Sequence, residues 1–106
     1  MKKSDLPECP VATLLMLIGT KWKVLIIRDL LTGTKRFKEI QRSVGCSQKV
    51  LTDNLRELES KGLVSRKVYP EVPPRVEYSM TKLGATLSPV LNAMAAWGDE
   101  YKKNIK

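Results

Sequence analysis

The spacing of apolar residues changes at Gly62 from helical to alternating, and few small folds combine the two in this order. Residues 47–61 begin with a serine suited to a helix N-cap and carry three leucines at i, i+4 and i+7, which predicts an amphipathic helix. Residues 64–69 and 75–80 alternate apolar and polar side chains on either side of a proline-rich segment, which predicts two paired strands. A helix followed at once by a β-hairpin is therefore the centre of the predicted fold.

Helical spacing elsewhere completes the predicted architecture. A turn at Gly45-Cys46 separates the 47–61 helix from an earlier one, and two helices joined by a tight turn form a helix-turn-helix. The order helix, helix, strand, helix, helix, hairpin, helix is that of a winged helix-turn-helix, a mainly α fold with a small β-hairpin. The other predicted elements are helices over 10–18, 21–32 and 38–44, a short extended segment over 35–37, and a last apolar stripe over 83–101 that Pro89 kinks or splits.

The outer face of the predicted 47–61 helix carries side chains that can read DNA. At about 100° per residue, this face lies opposite the leucine stripe. Arginine and lysine can address guanine, glutamine adenine and threonine a thymine methyl, whereas Asp53 would have to accept from a cytosine or pair with Lys49. A charged outer face is also what any solvated amphipathic helix shows, so the cations near the turn and the hairpin strengthen the assignment. The predicted DNA-binding residues are Arg36, Lys38, Ser47, Gln48, Lys49, Thr52, Arg56 and Arg75.

The composition favours one basic domain. With 106 residues we expect a single domain over 1–106, of which about 34–80 form the DNA-binding core. Nineteen Lys and Arg against eleven Asp and Glu give a formal net charge of +8, which suits nucleic acid or an anionic lipid surface. The two cysteines match neither a disulfide framework nor a zinc site, and no signal peptide or membrane span is recognisable. We therefore expect a soluble protein of the reducing cytoplasm that uses no metal or cofactor.

Several motifs spread along the chain point to one family. They are CPV at 9–11, GTKWK at 19–23, RFKEI at 36–40, SQKVLT at 47–52, LRELE at 55–59 and YPEVPPRVEY at 69–78. Together they resemble the HxlR-type family of bacterial winged-helix regulators, related to the MarR-type proteins, over almost the whole chain. The resemblance implies a dimeric, autonomous DNA-binding regulator, often a repressor. The Gly45-Cys46 turn departs from the Gly-Ile or similar apolar pair that is usual there.

The terminal helices carry more apolar side chains than one side of a small winged helix can cover. The helix at about 10–18 is nearly all apolar, and one stripe runs through about 82–101. We therefore expect a two-fold homodimer that presents two recognition helices to a palindrome with half-sites about 10 bp apart. Packing of the stripe wholly within one protomer is the alternative. The predicted interface residues are Leu14, Leu87, Leu91, Met94 and Trp97.

Both cysteines precede predicted helices, where the helix dipole favours a thiolate. The family resemblance adds that some members respond to oxidants or electrophiles through the cysteine that matches Cys9. We hypothesise that oxidation of Cys9, alone or as a disulfide with Cys46 of the partner subunit, moves the recognition helices. The alternative is that both cysteines are small buried hydrophobes, as most free cysteines are.

Three other interpretations stay open. The chain has no histidine and no glycine-rich phosphate loop, so an enzyme is not expected, and a Cys9-dependent thiol peroxidase is the one enzymatic alternative. A winged helix can also bind nucleic acid without sequence preference, or contact another protein. Trp22, Trp97, Phe37 and Tyr78 could line a pocket for a small-molecule inducer, although aromatic residues on apolar faces are more often core residues.

Overall fold

The computed structural model describes residues 2–105, which form six α-helices and one three-stranded antiparallel sheet. A short 3-10 turn over Lys3–Asp5 precedes the first helix. Within residues 2–105 no single helix is long and apolar enough to cross a membrane. The first two helices reach the length and composition of a membrane span only when they are taken together, and they are bent by 83° relative to each other. The elements are α1 (Pro10–Ile18), α2 (Lys21–Leu30), β1 (Lys35–Arg36), α3 (Phe37–Val44), α4 (Gln48–Ser60), β2 (Val64–Tyr69), β3 (Arg75–Met80), α5 (Lys82–Ala85) and α6 (Ser88–Lys103).

Side-chain caps and a glycine set the boundaries of the helix-turn-helix as the sequence predicts. The Ser47 hydroxyl accepts a 3.1 Å hydrogen bond from the amide three residues on and begins α4. Gly45 takes a left-handed φ of 79° and ends α3, a conformation that glycine adopts without strain. The second helix, α2, ends at Leu30 rather than at the predicted Thr32. The reason is local, since the amide and hydroxyl of Thr32 both donate to the Asp29 carbonyl.

The predicted interruption of the C-terminal helix is confirmed, because α5 and α6 are separate helices. The Thr81 hydroxyl caps α5 by accepting a 2.9 Å hydrogen bond from the Gly84 amide. The last helix, α6, begins at Ser88 with Pro89 in its first turn, where the missing N–H costs no hydrogen bond. Leu87 therefore precedes α6, and its side chain packs in the protomer core with 9% exposure. This residue has little exposed surface for a partner subunit, and its place in a dimer interface stays a prediction.

A third strand, β1, joins the predicted hairpin. It pairs antiparallel with β3, Lys35 opposite Tyr78 and Arg36 opposite Glu77, so the strand order is β1-β3-β2. The hairpin of β2 and β3 is confirmed over all six residue pairs. Because β1 leads directly into α3, the added strand ties the hairpin, which is the wing of this fold, to the start of the helix-turn-helix.

The core forms where α2, α4 and β2 meet. The leucine stripe of α4 is at most 1% exposed, as predicted from its spacing. On α2, Ile26 and Ile27 are fully buried, whereas Trp22 and Leu25 are only partly buried. The buried face of α2 extends to Lys23, because α4 packs against the side of α2 that carries this residue.

Two polar contacts fasten the flank of α4 to the start of α2. Lys23 is 8% exposed and forms an ion pair with Glu57 of α4. The Thr20 hydroxyl donates a 3.1 Å hydrogen bond to the side-chain oxygen of Asn54. The sequence did not predict this arrangement, because a lysine in the first turn of a helix is usually solvated.

Removing the carboxylate of this pair is expected to destabilise the protein. Glu57→Gln leaves the Lys23 ammonium without its counter-ion and should lower the free energy of unfolding by about 1–2 kcal/mol. Lys23→Met removes the charge that needs a partner and should change the free energy of unfolding by less than about 1 kcal/mol. Urea unfolding checks both variants, with the exposed Glu100→Gln as the control. Equal losses for Glu57→Gln and Glu100→Gln would contradict a role for the Lys23–Glu57 pair, in which the lysine is buried and the glutamate is 60% exposed.

The helices α1 and α6 extend from this core. The radius of gyration is 15.2 Å, above the roughly 13 Å of a compact domain of this length. Val11 and Leu15 on α1 and Trp97 and Tyr101 on α6 are each more than half exposed. Between α1, α2 and Met94 of α6 lies an apolar groove of about 400 Å³. The protomer therefore leaves apolar surface of both terminal helices uncovered.

Candidate nucleic-acid interface

The predicted reading residues of α4 share one outward face, opposite the buried leucine stripe. The Ser47 oxygen accepts the capping bond, and its O–H stays available to donate to a phosphate oxygen. Thr52 is half-buried beside the wing. The remaining side chains of this face are exposed, and they are Gln48, Lys49, Asp53 and Arg56.

Asp53 forms an ion pair with Lys49 one turn earlier, at 2.8 Å. This is one of the two partners that the sequence allowed for Asp53. The two side chains are 85% and 50% exposed, so the pair contributes only about 0.5 kcal/mol and Lys49 can leave it for a base or phosphate.

Arg36 and Lys38 lie at the junction of β1 and α3, where the chain enters the helix-turn-helix. The Arg36 amide donates a 2.9 Å hydrogen bond to the Glu39 carboxylate, which fixes the backbone at this junction. Both cationic side chains belong to exposed residues, and neither has an ion-pair partner in the part of the chain that the structure describes. Their phosphate contacts stay a prediction, and the geometry leaves both charges free for it.

Arg75, predicted to contact phosphate from the wing, is already engaged inside the wing. Its guanidinium lies 3.4 Å from Glu71 and 3.8 Å from Glu77, and it stacks 4.0 Å from the ring of Tyr69. These contacts hold the proline-rich tip together, so Arg75 offers less free charge to DNA than its sequence position suggests. Lys67, on the strand opposite, is exposed and lies 4.8 Å from the same ring.

The base of the wing brings together residues whose proximity was not predicted from the sequence. Tyr78 of β3 is 8% exposed and lies opposite Arg66 of β2 in the hairpin register. Burial raises the pKa of the Tyr78 phenol above its ordinary value of 10.0, Arg66 and Arg56 oppose the rise, and Glu59 adds to it. The phenol therefore keeps its proton at neutral pH and can donate a hydrogen bond. If the residues of the two strands are paired one by one outward from the proline-rich tip, Tyr78 falls opposite Arg66, so this pairing could have been predicted from the sequence.

The two cysteines differ in their surroundings. Cys9 is exposed and occupies the N-cap position of α1, whereas Cys46 is half-buried and packs against the core just before α4. Exposure makes Cys9 accessible to a solution oxidant, and Cys46 matches in part the alternative of a small buried hydrophobe. Among residues 2–105 no group of three or more metal-ligating side chains is close enough to hold an ion.

The remaining residues predicted for a dimer interface fall into two groups. Leu14 and Leu91 are partly buried against the protomer core. Met94 and Trp97 are 46% and 69% exposed on α6, and Trp97 stacks on Tyr101 with ring centroids 5.4 Å apart. Exposed stacked aromatic rings beside an apolar groove are what a helical partner would cover.

Comparison with known proteins places this arrangement among transcriptional regulators. The profile of the HxlR-like helix-turn-helix family matches residues 17–106. YdeP of Bacillus subtilis, named as an uncharacterized HTH-type transcriptional regulator, is 47% identical over 102 residues, which cover 95% of this chain and 80% of YdeP. The redox regulator HypR in its oxidized form is 46% identical with a TM-score of 0.82, covering 87% of this chain and 96% of that one. The reduced form of the transcriptional regulator YodB from B. subtilis is 39% identical with a TM-score of 0.78, covering 94% and 100%.

Proposed function

The chain belongs to the HxlR-like helix-turn-helix family of transcriptional regulators, and from this premise we propose that it is a cytoplasmic repressor that binds a palindromic DNA operator as a homodimer. The observation that supports this most directly is the outward face of α4. It presents exposed Gln48, Lys49 and Arg56 beside the wing, on a protein of formal net charge +8. Major-groove readout needs such a helix, with cations around it for the phosphates.

Dimerisation follows from the exposed apolar surface of α1 and α6. A second copy can cover the groove between α1, α2 and α6 with its own terminal helices, in a self-complementary contact about a two-fold axis. In this arrangement the two α4 helices meet successive turns of the major groove, so the operator is an inverted repeat. Leu14, Leu91, Met94 and Trp97 are the proposed interface residues.

A selection of bound sequences from random duplexes, with purified protein at a stated salt concentration, tests the proposal. We expect an inverted repeat with half-sites about 10 bp apart, or a multiple of that spacing. Enrichment of no sequence, together with a steep salt dependence, would favour the alternative of sequence-independent nucleic-acid binding. Absence of binding to any duplex would favour a protein-contact role.

Gln48→Ala is expected to relax the sequence preference at one base pair of each half-site. Loss of a bidentate contact to adenine costs about 1–3 kcal/mol of discrimination, which corresponds to about 5- to 150-fold, whereas affinity for unrelated DNA should stay the same. Competition binding with single-base operator variants measures this. Asn104→Ala, which removes an exposed amide at the end of α6, is the control and should keep the full preference. An unchanged preference in Gln48→Ala would remove this residue from the reading face.

We also propose that Cys9 makes DNA binding sensitive to oxidants, because its thiol is exposed and because HypR, which this chain resembles, is named a redox regulator. Formation of a disulfide between Cys9 and Cys46 of the partner subunit would remove two protons and two electrons from the two thiols. Diamide accepts these protons and electrons, and its azo bond is reduced to a hydrazine. Diamide should then weaken operator binding by the wild type about 10-fold or more, an effect of the size usual for coupled sites. Cys9→Ser should bind equally well with and without diamide in a fluorescence anisotropy titration. A Cys9→Ser protein that responds as the wild type does would refute the switch.

A further inference from the structure

A small polar cavity of about 160 Å³ lies between the recognition helix α4 and the base of the wing. It contains two guanidinium groups and one phenol against a single carboxylate, so its net charge is positive. Among these groups only Arg66 and Glu59 form an ion pair in the described part of the chain. The residues that line it are Thr52, Leu55, Arg56, Glu59, Arg66 and Tyr78.

Tyr78 contributes an unpaired hydroxyl to this cavity. Its residue is 8% exposed, yet its hydroxyl forms no hydrogen bond with any residue in the described range 2–105. The ring is buried whereas the unpaired hydroxyl keeps access to solvent, and a phenol that keeps its proton is a donor suited to an anion. The cross-strand position of Arg66 places a cation on the same face of the hairpin.

The two arginines are only loosely committed to partners within the protein. Arg66 lies 3.7 Å from Glu59, beyond hydrogen-bond distance, and the two side chains are 47% and 38% exposed. Arg56 has no carboxylate within 4.0 Å among the described residues. Two guanidinium groups that converge on one space are suited to an oxyanion with several acceptor oxygens, such as a phosphate.

We propose that this cavity binds one phosphodiester of the DNA backbone, held by Arg66, Arg56 and the Tyr78 hydroxyl. Glu59 competes for Arg66 in the free protein and gives it up when the phosphate arrives. The site would fix the angle between α4 and the wing on the duplex, because its groups come from both elements. This inference rests on the proposed DNA binding and adds Arg66, Tyr78 and Glu59 to the residues that serve it.

The salt dependence of operator binding tests the role of Arg66. Arg66→Ala should bind about 10-fold more weakly at low salt, with the slope of log affinity against log salt reduced by about 1 and the sequence preference unchanged. Arg28→Ala is the matched control, since Arg28 is also a half-exposed arginine paired with a carboxylate but lies on α2. Tyr78→Phe should lose about 5-fold in affinity with the slope unchanged, because only an uncharged donor is removed. Thermal unfolding confirms that each variant is folded.

Removing the competing carboxylate should have the opposite effect. Glu59→Gln should bind operator about 3-fold more tightly, whereas Glu100→Gln, an exposed glutamate 4.0 Å from Lys103, should bind as the wild type does apart from its general charge effect. A Glu59→Gln protein that binds no more tightly than Glu100→Gln would contradict the competition.

Operators with one neutral methylphosphonate at successive positions identify the phosphate that occupies the cavity. The wild type should lose about 10-fold in affinity at one position per half-site, and Arg66→Ala should lose nothing further there. The contrary result is that Arg66→Ala and Arg28→Ala bind operator with the same affinity and salt slope and lose equal affinity at every methylphosphonate position. In that case the cavity binds no backbone phosphate, whereas the proposed DNA binding is unaffected. Tight binding of inorganic phosphate by the free protein, measured by calorimetry, together with that result would assign the cavity to a free anion and overturn the proposal. A wild type that binds no duplex would overturn both the proposed function and this inference.

Discussion

Trp97→Asp is expected to convert the protein to a monomer and to weaken operator binding by about 100-fold or more. Trp97 is 69% exposed on α6 and stacks on Tyr101, and an exposed aromatic pair of this kind is the usual energetic centre of an interface. An aspartate there would place an unpaired charge in the proposed contact, which should cost about 2–5 kcal/mol of association free energy. A monomer binds each half-site alone and loses the gain of linked sites, about 100-fold or more. Size-exclusion chromatography with light scattering and operator titrations measure the two effects.

Ala96→Asp is the matched control for this variant. Ala96 is an exposed residue of the same helix, displaced around it from the stripe of Met94, Trp97 and Tyr101, and its replacement adds the same charge. It should remain dimeric and lose only the small affinity that one added negative charge costs. A Trp97→Asp protein that stays dimeric and binds operator as Ala96→Asp does would show that α6 is not the interface.

The sequence predicted the helix-turn-helix well because its determinants are local. The N-cap at Ser47 and the left-handed turn at Gly45 each depend on one residue and its neighbours, and both occur as predicted. The leucine stripe of α4 needed only the helical period to identify its buried face. The outward face consists of the helix positions opposite this stripe, so most of the candidate reading residues could be predicted from spacing alone.

The features that the sequence did not predict depend on contacts between distant segments. The sequence predicted the short extended segment over 35–37 but not its pairing with β3, which lies far along the chain. Lys23 is buried because α4 lies beside it, and no local pattern states that. The ion pairs of Arg75 depend on the fold of the wing tip, although Glu71 and Glu77 were visible nearby in the sequence. A positively charged residue that the sequence suggests for DNA contact can therefore stabilise the wing itself, and burial and ion pairing are needed to distinguish the two roles.

The junction between the wing and α6 depends on Gly84, where α5 passes close to the chain entering β2. A Cβ at this position would lie 2.1 Å from the carbonyl oxygen of Leu63 and 2.6 Å from the end of the Met80 side chain. The carbonyl cannot easily retreat, since it accepts a 3.1 Å hydrogen bond from the Thr81 amide, and the Thr81 hydroxyl donates to the carbonyl of Gly62 at 2.6 Å. Any larger residue must therefore move α5 as a unit, and α6 with it.

Gly84→Ala is accordingly expected to lower the free energy of unfolding by about 3 kcal/mol, the upper part of the range for an overpacked site, because a fixed backbone atom opposes the added methyl group. The matched control is Gly98→Ala in the interior of α6, where a Cβ would meet nothing within 4 Å. That change should stabilise the helix by up to about 1 kcal/mol, since alanine loses less backbone entropy than glycine. Urea unfolding of the two variants gives the comparison. Because the displaced α5 carries α6, Gly84→Ala should also weaken dimerisation, and a variant as stable as the wild type would mean that α5 and β2 separate without cost.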